Sequence, residues 1–127
     1  MKARKLTLDD VVVTLEALPE DDGPEGHFAS GNDEWDREDV ARIRRDMEWN
    51  EWAWCCAHVR VYLRGAVERP GYVSQTLKGL HGDDYLGGCD YASAEDFRAG
   101  GYYDDMVAEA LADLQAKVDA IVEKVAQ

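Results

Sequence analysis

The chain has 127 residues, about the length of one domain, and 46% of them are apolar, enough for one hydrophobic core and not for two. Its 27 acidic against 14 basic side chains leave a net charge of −13. A chain this acidic repels phosphate backbones and anionic lipid surfaces, whose binding is dominated by Lys and Arg contacts, so direct nucleic-acid or membrane binding is disfavoured.

The N-terminal Met1-Lys2-Ala3-Arg4-Lys5 is basic but runs into Leu6-Thr7-Leu8-Asp9-Asp10, without the apolar core of about 7–15 residues that a signal peptide carries. No apolar run approaches the ~20 residues of a membrane span. These features predict a cytoplasmic protein. Cys55, Cys56 and Cys89 are odd in number and two are adjacent, so reduced thiols are expected rather than a disulfide framework.

Asp10 to Leu18 is β-branched and alternates, with Val11, Val13, Leu15 and Ala17 on one face, and reads as a first strand. Residues 19–32 hold two of the three prolines, three glycines and the run Glu20-Asp21-Asp22, and read as a long loop. A helix follows, with Asp36 as the expected cap, Val40, Ile43 and Met47 as a narrow apolar stripe, and an end before Asn50. Arg42, Arg44 and Arg45 lie towards its C-terminal end, where the helix dipole favours cations.

Glu51 to Leu63 is the clearest strand, closed by Arg64-Gly65; a third is expected between Tyr72 and Lys78, and a short fourth between Asp84 and Tyr91. Gly87-Gly88 within the fourth suggests a bulge or a close backbone approach. Ser93 and Asp96 resemble a capping box for a short turn carrying Phe97, broken by Gly100-Gly101. The last element, residues 101–125, is a long helix. Its seam is Val107, Leu111, Leu114, Val118, Ile121 and Val125, widened by Met106, Ala110 and Val122. The expectation is a single α+β domain spanning residues 1–127. It has an antiparallel sheet of three to four strands, the long C-terminal helix packed on one face, and a second, shorter helix. The breadth of the helix seam also suggests a homodimer.

Alternation over Glu51–Leu63 separates small apolar odd positions from an even face of Trp52, Trp54, Cys56, His58, Arg60 and Tyr62. Trp, Tyr and Arg dominate binding hot spots and stack on planar ligands, so Trp52, Trp54, His58, Arg60 and Tyr62 form a candidate binding face; the alternative is a second half of the core. Glu20, Asp21 and Asp22 are the candidate acidic contact. The cysteines with His58, His81, Asp83 and Asp84 include zinc-ligand types, but no C-x₂-C or H-x₃₋₅-H spacing is present, and neither a metal nor another cofactor is expected. Cys56 and His58 share a strand face and are the one pair that could serve as nucleophile and base, yet no third orienting residue is evident.

The segments Trp49-Asn50-Glu51-Trp52-Ala53-Trp54-Cys55, Tyr85-Leu86-Gly87-Gly88-Cys89-Asp90-Tyr91, Asp96-Phe97 and Tyr102-Tyr103-Asp104-Asp105-Met106 resemble a family of small acidic proteins of tailed bacteriophages, over about Asp33 to Leu114. That resemblance carries over no catalytic residue. It implies an early or accessory phage protein in the cytoplasm of a bacterial host. The leading expectation is a non-enzymatic counter-defence protein that binds and blocks a host protein, such as a nucleic-acid-binding defence complex, with its acidic surface imitating nucleic acid. The alternatives are sequestration of a nucleotide-like molecule on the aromatic and Arg60 face, and a weak Cys56/His58 enzyme.

Overall fold

A computed structural model describes residues 5–25, 32–63 and 80–126. Among these residues the elements are a short 3-10 helix (Leu8–Asp10), β1 (Val11–Leu18), α1 (Asp33–Asp46), β2 (Cys55–Leu63), β3 (His81–Cys89), α2 (Ala94–Ala99) and α3 (Tyr102–Ala126). The strands form one sheet in the order β1-β2-β3. Side chains meet across them in a fixed register: Thr14 and Glu16 with Arg60 and His58, then His58, Arg60 and Tyr62 with Tyr85, Asp83 and His81. Numbers rise on one strand as they fall on its neighbour, so both pairings are antiparallel. The fold is α+β. Central β2 has a neighbour on each side, and its odd positions Cys55, Ala57, Val59, Val61 and Leu63 are all buried.

The chain divides into two compact units. The first takes the start of β1, residues 59–63 and 80–84, and α3 from Asp104 onward. Its core joins Val11, Val59 and Val61 to Met106, Val107, Ala110, Leu114 and Val118. Gly82 shows how closely α3 lies on β3, because a Cβ there would collide with the Ala110 carbonyl and the Leu114 backbone nitrogen. A glycine at this point lets helix and strand backbones touch. Leu111, Ile121 and Val122 are half-buried, so the apolar seam is broader than the buried stripe; the Val125 side chain lies outside the described residues.

The second unit holds residues 15–25, 32–58 and 85–103. Phe97, fully buried, stacks on Trp52 with ring centroids 5.3 Å apart and meets Tyr91 edge-on at 4.9 Å. Asn50 donates from Nδ2 to the carbonyls of Tyr91 and Ala92 and accepts from Trp52 N–H. The capping pair at α2 forms as expected, with Ser93 Oγ accepting from Asp96 N–H.

Three boundaries differ from the sequence expectation. The cap of α1 is Asn32, whose Oδ1 accepts from Trp35 N–H, so Asp36 lies inside the helix. The strand expected from Glu51 begins at Cys55, because a turn with Ala53 N–H on the Asn50 carbonyl precedes it. The last strand begins earlier than expected, at His81. The strand expected over 72–78, the Arg64-Gly65 stop and loop residues 26–31 lie outside the described residues. Among the described residues no helix is long and apolar enough to cross a membrane.

Candidate functional site

The expected aromatic face separates into distinct environments. Trp52 and Trp54 precede β2 and are each only 5% exposed. Trp52 belongs to the Phe97 cluster, and Trp54 donates its indole N–H to the Asp22 carbonyl at 2.7 Å. Both rings are therefore covered, and neither offers a π-face to a planar ligand. The alternation that placed them on one face with Arg60 ends at Cys55, where the strand itself begins.

His58 is also buried, at 2% exposure, with Nδ1 2.9 Å from Glu16 Oε1 and its ring parallel to Tyr85 at 4.3 Å. A carboxylate only accepts, so the Nδ1 proton belongs to His58. Cys56 does not pair with it; its Sγ lies 3.8 Å from the Ala57 carbonyl and accepts from Leu86 N–H. Burial, followed by the Glu20 carboxylate, pushes the Cys56 thiol up from its ordinary value. A thiol held protonated is a poor nucleophile, and the Cys56/His58 arrangement gains no support.

In the first unit Arg60 donates from Nε to Asp83 Oδ1 at 2.8 Å and from a terminal nitrogen to the Tyr62 hydroxyl at 3.2 Å. These bonds, Tyr62 first and Asp83 second, hold the guanidinium above its ordinary basicity. Asp83 Oδ2 lies 2.6 Å from His81 Nδ1, and Asp83 N–H donates to Asp113 Oδ2. Lys117 closes the group, on Asp113 at 2.9 Å and the His81 carbonyl at 2.8 Å. Its cations are matched by its own carboxylates.

The acidic loop is likewise partly committed. Glu20 accepts from Gly88 N–H at 2.7 Å, whereas the Asp21 and Asp22 side chains are exposed. A longer acidic surface, absent from the sequence expectation, lies on α3. Asp105, Glu109 and Asp113 follow one another at four-residue steps, as do Asp119 and Glu123, with Ala112, Ala116 and Ala120 exposed beside them. The four-residue spacing of like charges is the sequence signal for this face.

Such pairs are unfavourable to the helix, since like charges at i,i+4 repel. Glu123 also lies in the final turn, where the dipole disfavours an anion. Asp113 is relieved by Lys117 and then by Asp83 N–H, which hold its carboxyl below the usual range. Trp35 and Trp49, also missed, are 63% and 73% exposed in the second unit. Trp35 falls off the Val40-Ile43-Met47 stripe, the mark of an outward-facing indole, and Trp49 lies in the turn that follows α1.

Among the described residues no group of three His, Cys, Asp or Glu side chains is placed to hold a metal ion. No protein-family model, curated protein or solved structure matches the chain.

Proposed function

We propose that the protein is a non-enzymatic binder that occupies a basic surface of a partner protein, with the outward carboxylates of α3 as its principal contact. The observation that carries this reading is the row Asp105-Glu109-Asp113, continued by Asp119-Glu123, in which exposed Glu109 and Glu123 stand where the helix would be more stable without their charges. A basic groove that normally receives phosphates would receive this row by the same charge complementarity. The resemblance to small acidic phage proteins makes a nucleic-acid-binding host protein the first partner to test, in a bacterial cytoplasm. Sequestration of a planar ligand is the weaker reading, because Trp52 and Trp54 are buried and Arg60 is engaged. Assembly as a homodimer through half-buried Leu111, Ile121 and Val122 belongs to the same proposal.

The test is capture from bacterial extract on the immobilised protein, beside a variant carrying Glu109→Gln, Asp119→Asn and Glu123→Gln. Asp113 is left intact because it anchors Lys117 and Asp83. A nucleic-acid-binding protein retained by the wild type, lost on the variant, and unable to bind nucleic acid while held supports the proposal. Equal retention on both, or a retained small molecule in its place, overturns it.

A further inference from the structure

Cys55 and Cys89, both in the second unit, are 1% and 3% exposed and belong to neither surface described above. Simple alternation would keep them apart. With His58 opposite Tyr85, the positions of β3 that share a face with Cys55 are Leu86 and Gly88, and Cys89 would point the other way. Gly88 has φ +66°, and the phase of burial changes there: Gly87 and Gly88 are exposed and Cys89 is buried. A left-handed residue, which glycine adopts without steric cost, therefore turns Cys89 inward. There Cys55 S–H and Ala57 N–H both donate to Cys89 Sγ, while the Cys89 S–H donates to the Leu86 carbonyl at 3.2 Å. Cys89 also lines a cavity of about 280 Å³ with Leu86, Gly87, Asp90, Tyr91 and Tyr102. All three cysteines are free thiols.

We propose that Cys89 is a modification site for small disulfides of the glutathione class, and that Cys55 resolves the adduct into a reversible Cys55–Cys89 cross-link between β2 and β3. In the first step the Cys89 thiolate attacks one sulfur of the incoming disulfide, forming a mixed disulfide and releasing one thiolate. In the second, Cys55 loses its proton, its sulfur attacks the Cys89 sulfur, and the remaining half leaves as a second thiol. The protein loses two hydrogens and the small disulfide is reduced to two thiols. The order of the steps follows from the pairing. The Cys55 S–H favours the ionised form of Cys89 and, with Ala57 N–H, pulls it down to about 7 against the effect of burial, while Cys55 itself is pushed well up. The thiolate is the attacking species, so Cys89 reacts first.

The experiment treats the reduced full-length chain with oxidised glutathione and reads intact mass and free-thiol count, for the wild type, Cys56→Ser and Cys55→Ala, with circular dichroism to confirm folding. Cys56→Ser should lose both remaining thiols and two hydrogens, retain no glutathione, and recover fully on reduction. Cys55→Ala should hold glutathione on Cys89. If Cys55→Ala does not fold, the Cys56→Ser result decides alone. Two thiols still free in folded Cys56→Ser, or glutathione retained on both of its cysteines, overturns the proposal, as does wild-type reaction beginning at Cys56.

Discussion

Arg60 and Asp83 face each other across β2 and β3, with Nε 2.8 Å from Oδ1, and this bond turns an apparent ligand-binding cation into a member of an internal polar group. The Asp83 side chain is 13% exposed and serves His81 as well. Replacing it by Asn leaves two donors facing a neutral amide, and Asp83→Asn should cost about 1–3 kcal/mol. Tyr62→Phe removes one weaker hydrogen bond and should cost about 0.5–1.5 kcal/mol. Urea unfolding of the two variants checks the order, and an equal loss would remove Asp83 from its central place.

Gly82 tests the packing of α3 on β3. Gly82→Ala puts a methyl group into the backbone of Ala110 and Leu114, which has no rotamer with which to yield. Overpacking of this kind costs about 1–3 kcal/mol and occasionally more. Thermal denaturation should show a marked fall in Tm, whereas Gly101→Ala, with nothing within 4 Å of its added Cβ, should show almost none.

The pH dependence of stability has a sign fixed by Asp113. Its folded carboxyl is held below the ordinary 3.8 by Lys117 first and Asp83 N–H second. A depressed folded value contributes stability that is fully present above the unfolded value and is lost as pH falls through the folded one. Asp113→Asn should therefore lose stability at neutral pH and show a shallower decline than the wild type below about pH 4. Unfolding free energies measured from pH 2 to 7 check it. Parallel curves would show that the carboxylate makes no differential contribution.

Much of the fold was legible because each element carried its own period. Alternation marked β1 and the buried odd positions of β2, the seam marked α3, and Ser93 with Asp96 marked the start of α2. The site was less legible. Trp52 and Trp54 continue the alternation of β2 in the sequence, but Asn50 ties that stretch into a turn by bonds to Tyr91 and Ala92, about forty residues away. Arg60 has the composition of a hot spot, yet its partner Asp83 is a register-dependent neighbour on another strand. Gly87-Gly88 marked an irregularity in the last strand, where Gly88 has φ +66°; that Cys89 there meets Cys55 needed the strand pairing.

Four tryptophans in two environments give a spectroscopic check. Trp35 and Trp49 are exposed, and Trp52 and Trp54 are buried. Trp35→Ala with Trp49→Ala should remove most of the acrylamide-quenchable emission and leave a blue-shifted remainder. Stability should change by no more than about 0.5 kcal/mol per site, as at other surface positions. Strong quenching that persists in the double variant would place Trp52 or Trp54 in contact with solvent.

The central claim is that the Glu109 and Glu123 carboxylates of α3 serve binding at the expense of helix stability. Glu109→Gln relieves repulsion with both Asp105 and Asp113, and Glu123→Gln relieves Asp119 and the C-terminal dipole, each by a few tenths of a kcal/mol. The most direct test measures, for wild type and the double variant, both unfolding free energy and partner Kd across ionic strength. The account predicts a double variant that is slightly more stable, binds the partner at least about tenfold more weakly at low salt, and has a flatter salt dependence. An unchanged Kd with an unchanged salt slope would contradict it.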